Sequence, residues 1–177
     1  SALNPDDILS NPDYKYWLLG IEDGVNRFGD STGTYMKDMI AYGPSMYDVI
    51  TVYEATAIEQ ADNAIGRYGD LRVYYPPLTI MSDHPFCIVQ GDWVKPEEAS
   101  AANIFIDFLL SHDAQETALM KYGFRPVDTS IPLDAPGSPL NRYASNGLNI
   151  DLPPQAELPA GNVLNTLLDF WIRNVNH

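Results

Sequence analysis

Hydroxyl groups and tyrosines, rather than metal ligands, set the chemistry open to this chain. Ser31 follows Phe28-Gly29-Asp30 and precedes Thr32-Gly33-Thr34. A serine becomes a nucleophile only when a base takes its proton, usually a histidine held by a carboxylate. The histidines are His84, His112 and His177, and none has an aspartate three residues before it. Gly43-Pro44-Ser45 opens like a nucleophile elbow but lacks the closing glycine. Asp83 and His84 are two adjacent ligands without a third, and Cys87 is the one cysteine, which excludes a cysteine zinc cluster and an intrachain disulfide. The sequence therefore predicts no catalytic residue, no metal site and no cofactor. Binding remains. Ser31, Thr32 and Thr34 open a helix, where free N–H groups and hydroxyls meet a ligand, although capping alone also explains them. Tyr53 and Glu54 follow an apolar run directly, where α/β sheets place their ligands; Glu54 also reads as an ordinary first-turn helix acid. His84 stands at a turn before proline. The candidate ligand-binding residues are thus Ser31, Thr32, Thr34, Tyr53, Glu54 and His84.

These residues need elements to position them. Apolar spacing predicts helices over residues 11–27, 34–41, 55–68, 97–110, 112–122 and 162–174. Pro96 at a first helical position, Glu97 and Glu98 in the first turn, Ser111 as a cap and Gly69 and Gly123 as stops support four of their ends. Ile104, Phe105, Phe108 and Leu109 form an apolar stripe expected to be buried. Residues 47–53, 71–75 and 85–90 are β-branched and aromatic, and read as buried core strands. Helices alternating with buried strands predict an α/β, three-layer fold. Residues 1–127 are expected to form the main unit. Residues 128–177 are expected to form a Pro/Gly-rich arm and a C-terminal amphipathic helix packed on it, because Leu133, Leu140, Tyr143, Leu148 and Ile150 recur along the arm.

Charge narrows the partners. The chain has 177 residues, with 10 Lys and Arg against 24 Asp and Glu, a formal net charge of −14. Nucleic acid and anionic lipid both require clustered basic residues, so neither is expected. Hydrophobic residues make up 45%, enough for a core. No apolar run approaches the ~18 residues of a membrane span, and no stretch of these residues reads as a signal peptide. The abrupt opening Ser1-Ala2-Leu3-Asn4-Pro5 reads as a cut inside a longer protein.

Two resemblances bear on function. Phe28-Gly29-Asp30-Ser31 resembles the first block of the GDSL-type serine esterases, but a helix feeds it instead of that family's strand. Residues 26–126 resemble the extracellular solute-binding proteins of bacterial ABC-type importers, near the molybdate-binding branch. The carrying runs are Val52-Tyr53-Glu54, then Tyr74-Tyr75-Pro76 with residues 82–89, then the helix of residues 101–111, and Gln115 with Lys121-Tyr122-Gly123-Phe124-Arg125-Pro126. This resemblance implies a C-terminal fragment of a two-lobed, type II periplasmic-binding-protein-like fold. It implies non-enzymatic binding of a small-molecule solute for import or sensing. It also implies an extracytoplasmic location, a missing N-terminal lobe of the same protein and an ABC-transporter membrane component as partners. Glu54 stands where a small residue is common and His84 where tyrosine is usual, so a cationic, sugar-like or peptide-like ligand is favoured over molybdate or sulfate. The rival expectations are an esterase using Ser31 and a structural or protein-interaction domain whose arm wraps a partner.

Overall fold

The structure, a computed structural model, describes residues 4–25 and 27–175. Asn26, where the resemblance begins, and His177 lie outside the described residues. In chain order the helices are α1 (Pro5–Ser10), α2 (Pro12–Glu22), α3 (Thr32–Tyr42), α4 (Glu54–Ala64), α5 (Pro96–Leu109), α6 (His112–Tyr122), α7 (Pro139–Arg142) and α8 (Gly161–Asn174), with 3-10 turns at Gly43–Ser45 and Ala144–Asn146. Their ends follow from side chains that satisfy exposed backbone groups. The Asn11, Ser31 and Ser111 side chains each accept a backbone N–H at the start of α2, α3 and α6. Pro96 opens α5, and the Glu98 carboxylate reaches back to the Lys95 N–H at 3.0 Å. Gly123 ends α6 in the left-handed region, φ 72°. The expected stop at Gly69 falls elsewhere: α4 ends at Ala64, and Gly66, φ 74°, turns the chain.

The expected α/β three-layer fold is not what the chain adopts. The structure is 51% helical, and among the described residues there is no sheet. The physical reason is clearest at residues 71–75. Burial alternates as in a strand: Leu71, Val73 and Tyr75 pack inward while Arg72 and Tyr74 face out. The backbone partners are not another strand, however. The Val73 N–H donates to the Asn146 carbonyl at 2.8 Å, and the Asn146 side-chain amide donates to the Leu71 carbonyl at 2.8 Å. A 3-10 turn thus supplies bonds a ladder would have made. Residues 47–53 bury Tyr47 and pack Ile50 and Val52 on a core, yet Val49 is 83% exposed. At residues 85–90, Phe86 and Val89 are exposed, so β-propensity there never becomes sheet.

The larger core gathers Ile58 from α4, Leu119 from α6, Ile131, Leu140 from α7, Tyr143 and Leu148. Leu119 and Leu140 are fully buried. A smaller core joins Met36 and Ile40 of α3 to Ala64 of α4, with Ile50, Val52 and Leu71 against it. Helix α5 contributes no buried residue. Its expected buried stripe is instead half-exposed, with Phe105 stacked on Phe108 at 6.4 Å and edge-on to Phe86 at 5.5 Å.

By contact density the chain forms two units, Asp30–Pro154 and a second made of Ser1–Gly29 with Gln155–His177. In the second unit α1 packs on α8, Val163 is buried, and Phe28 meets Trp171 edge to face at 5.6 Å. Among the described residues no helix is long and apolar enough to cross a membrane.

Candidate functional site

The site begins where α6 stops. A left-handed residue is needed at position 123 to reverse the chain, and a Cβ there would lie 2.6 Å from the Ile58 side chain, so glycine is required twice over. The Phe124 N–H then bonds back to the Ala118 carbonyl, and Gln115 fixes the exit by donating to the Leu109 carbonyl and accepting the Val127 N–H. This reversal aims Phe124 and Arg125 at the start of α4.

Arg125 meets Glu54 in a bidentate pair, Nε to Oε2 at 2.8 Å and Nη2 to Oε1 at 2.8 Å. The side chains are only 14% and 18% exposed. Two further guanidinium hydrogens go to the carbonyls of Asn149 and Ile150, and the Tyr75 hydroxyl donates to Glu54 Oε1. Both carboxylate oxygens and four of the five guanidinium N–H groups are therefore answered, as a largely buried ion pair requires. Burial, reinforced by the bond to Glu54 and its charge, pushes the Tyr75 hydroxyl up to about 12. Burial pulls the Arg125 guanidinium down, but the Glu54 carboxylate outweighs it, leaving Arg125 above its ordinary value.

Next to this pair stands a row of rings. Tyr53 precedes α4 as its N-cap, Glu54 being the first helical residue. The Tyr53 ring meets His84 at 6.1 Å, and His84 meets Phe124 edge to face at 5.6 Å. All three are exposed, Tyr53 at 53% and Phe124 at 44%. Among the described residues, His84 is the one non-glycine with positive φ, 46°. Such a conformation costs on the order of 1 kcal/mol or more, and functional sites are where it tends to be kept.

The structure thus brings Tyr53, Glu54 and His84 together. It places Ser31, Thr32 and Thr34 at the start of α3, in a cap of their own: Ser31 Oγ accepts the Thr34 N–H at 3.1 Å and donates to Thr34 Oγ1 at 3.0 Å. His112 pairs with Asp128 at 2.9 Å, so its ring is engaged away from Ser31. Sequence reasoning took Tyr75 as one of several tyrosines able to line a cleft or to be ordinary half-buried aromatics, and used Phe124 and Arg125 only as carriers of the resemblance, with no site role. The available signal was an arginine one residue beyond a helix-stopping glycine and its neighbour in a strongly acidic chain. Its partner lies 71 residues away, beyond local pattern. Among the described residues, no group of three His, Cys, Asp or Glu is arranged to hold a metal ion. The chain matches no protein-family model, no curated protein and no solved structure.

Proposed function

We propose that this chain binds a small, uncharged solute without transforming it, on the shelf formed by Tyr53, His84 and Phe124. The observation that carries this reading is the row of exposed rings beside a carboxylate whose charge is neutralised by Arg125. Arg125 cancels the charge of Glu54, so the carboxylate no longer favours a cation. Ring faces and edges suit the apolar faces of a sugar-like or peptide-like molecule, and Tyr53 and His84 add hydrogen-bonding atoms at the rim. In this reading the shelf is one side of a cleft, a further lobe of the same protein supplies the other, and the physiological role is import or sensing outside the cytoplasm, with an ABC-type membrane component as recipient. A helical frame carries the shelf.

The esterase reading is the less favoured one, because the Ser31 hydroxyl serves the α3 cap and its partners are both on Thr34. The test is a thermal-shift screen of the chain against neutral mono- and disaccharides, short peptides and cationic amines. A ligand that binds only the folded state raises Tm in proportion to the logarithm of its concentration. The expected result is a rise with a neutral class that is lost in Tyr53→Ala. No rise with any class at millimolar concentration contradicts the reading.

A further inference from the structure

A second place on the molecule is built differently. Between α3 and α4 lies an open depression of about 290 Å³, lined by Lys37, Ile40, Ala41, Gln60, Asn63 and Arg67. The spacing explains the lining. Residues 37, 40 and 41 share one face of α3, and residues 60, 63 and 67 share one face of α4 and its exit. Gly66, φ 74°, bends that exit, and the Arg67 N–H returns to the Ala64 carbonyl at 3.2 Å, which brings the arginine back beside the helix end. Gln60 is buried, and its Oε1 accepts from the Asn63 amide at 2.9 Å, so the two amides are held to one another.

Two cations share this lining. In a chain of net charge −14, four arginines pair with carboxylates: Arg72 with Asp70, Arg125 with Glu54, Arg142 with Asp62 and Arg173 with Asp169. Among the described residues, neither Lys37 nor Arg67 has an ion pair or a side-chain hydrogen bond. Both face the same depression. The acids of α3 and α4 do not line it, and Asp62 is already held by Arg142 and the Tyr143 hydroxyl. Two unanswered cations and two amides in one lining present donors and positive charge to whatever enters, apart from the amide oxygens.

We propose that this depression is a binding site for a compact oxyanion, the phosphate or carboxylate group of a small solute, with Lys37 and Arg67 as its charge partners and the Asn63 amide as a further donor in its lining. Gln60 lies ~10 Å along α4 from Tyr53, so the site is separate from the aromatic shelf. The surrounding acidic surface repels anions at long range, so binding depends on close contact and weakens with salt.

The test is a two-dimensional amide NMR titration of the chain with inorganic phosphate and, separately, acetate, with ionic strength held constant by chloride. The expected result is a saturable shift of the Asn63 side-chain amide and of residues 37 and 67 with at least one of the two anions. Lys37→Gln and Arg67→Gln should each weaken it roughly tenfold, and Lys121→Gln, an exposed cation on another helix, should not. Stronger binding of phosphate assigns a phosphate group, and stronger binding of acetate a carboxylate. Absence of saturation with both anions overturns the proposal, and so does saturation that both variants leave intact. Lys37 and Arg67 are exposed, so neither variant disturbs folding.

Discussion

Arg125 and Glu54, 71 residues apart, share two parallel hydrogen bonds of 2.8 Å, and the same guanidinium reaches the carbonyls of Asn149 and Ile150. One side chain thus ties the start of α4, the exit of α6 and the loop beyond the Ala144–Asn146 turn into one frame. The aromatic shelf stands on that frame, since Tyr53 precedes Glu54 and Phe124 precedes Arg125.

Removing one partner should be much worse than removing both. Arg125→Met leaves a largely buried carboxylate and two backbone carbonyls without the guanidinium, and should cost about 2–4 kcal/mol. Glu54→Gln should cost less, because the amide oxygen still accepts. In a double-mutant cycle by chemical denaturation, a coupling of at least ~1 kcal/mol is expected. Additive single effects would show that the pair contributes nothing jointly.

Titration gives two readings. Tyr75, pushed up to about 12, binds its proton more tightly when folded, so its contribution to stability is complete below pH ~10 and is lost as pH rises through about 12. Tyrosinate absorbance should show a latest-titrating component that Glu54→Gln moves earlier, since burial also raises Tyr14 and Tyr143. Asp128 is lowered to about 2 by bonds from Ser130 and His112, so its contribution is present above the ordinary carboxylate range and is lost as pH falls through about 2. His112 is raised by its bond to Asp128, so its contribution is complete below pH ~6.5 and is lost as pH rises through the higher folded value. Histidine ring NMR should show that raised value fall in Asp128→Asn.

Gly123→Ala should destabilise by more than ~1 kcal/mol, since it combines a left-handed backbone with a contact of 2.6 Å to Ile58. It should also disturb solute binding, because Phe124 and Arg125 take their direction from this residue. A change near zero would mean that α6 can end without the reversal.

Core and surface leucine-like positions should separate cleanly. Leu119→Ala, at a fully buried site, should cost ~2–5 kcal/mol. Phe108→Ala, 59% exposed, should cost well under half of a buried phenylalanine's ~3–5 kcal/mol. Equal losses would place α5 in the core after all.

Helices were the legible part of this sequence. The span expected over residues 112–122 is α6, and those over 97–110 and 162–174 lie within one residue of α5 and α8, because Pro96, Ser111 and Gly123 act locally. Residues 71–75 show why the fold class was not legible. Their alternation is real, but whether the backbone groups meet a strand or the turn at Asn146 depends on chain as much as 75 residues away. Phe105 and Phe108 mislead in the same way, since helical spacing marks an apolar face without saying what covers it. At the site, Tyr53, Glu54 and His84 were readable as residues at element ends. Arg125 was not, because its meaning lies in a distant carboxylate that reverses the charge argument Glu54 alone supported.

The central claim is that Tyr53, His84 and Phe124 act together as a solute-binding surface. The most direct measurement is an NMR titration that follows the ring protons of these three residues as a neutral disaccharide, or the best neutral ligand of the thermal screen, is added. The expected result is saturable shifts of all three rings with one common Kd. His84→Gly should weaken binding by about tenfold or more while leaving stability within ~1 kcal/mol, because glycine relieves the positive φ as the ring contacts are lost. Rings that do not shift, or a Kd unchanged by His84→Gly, would contradict it.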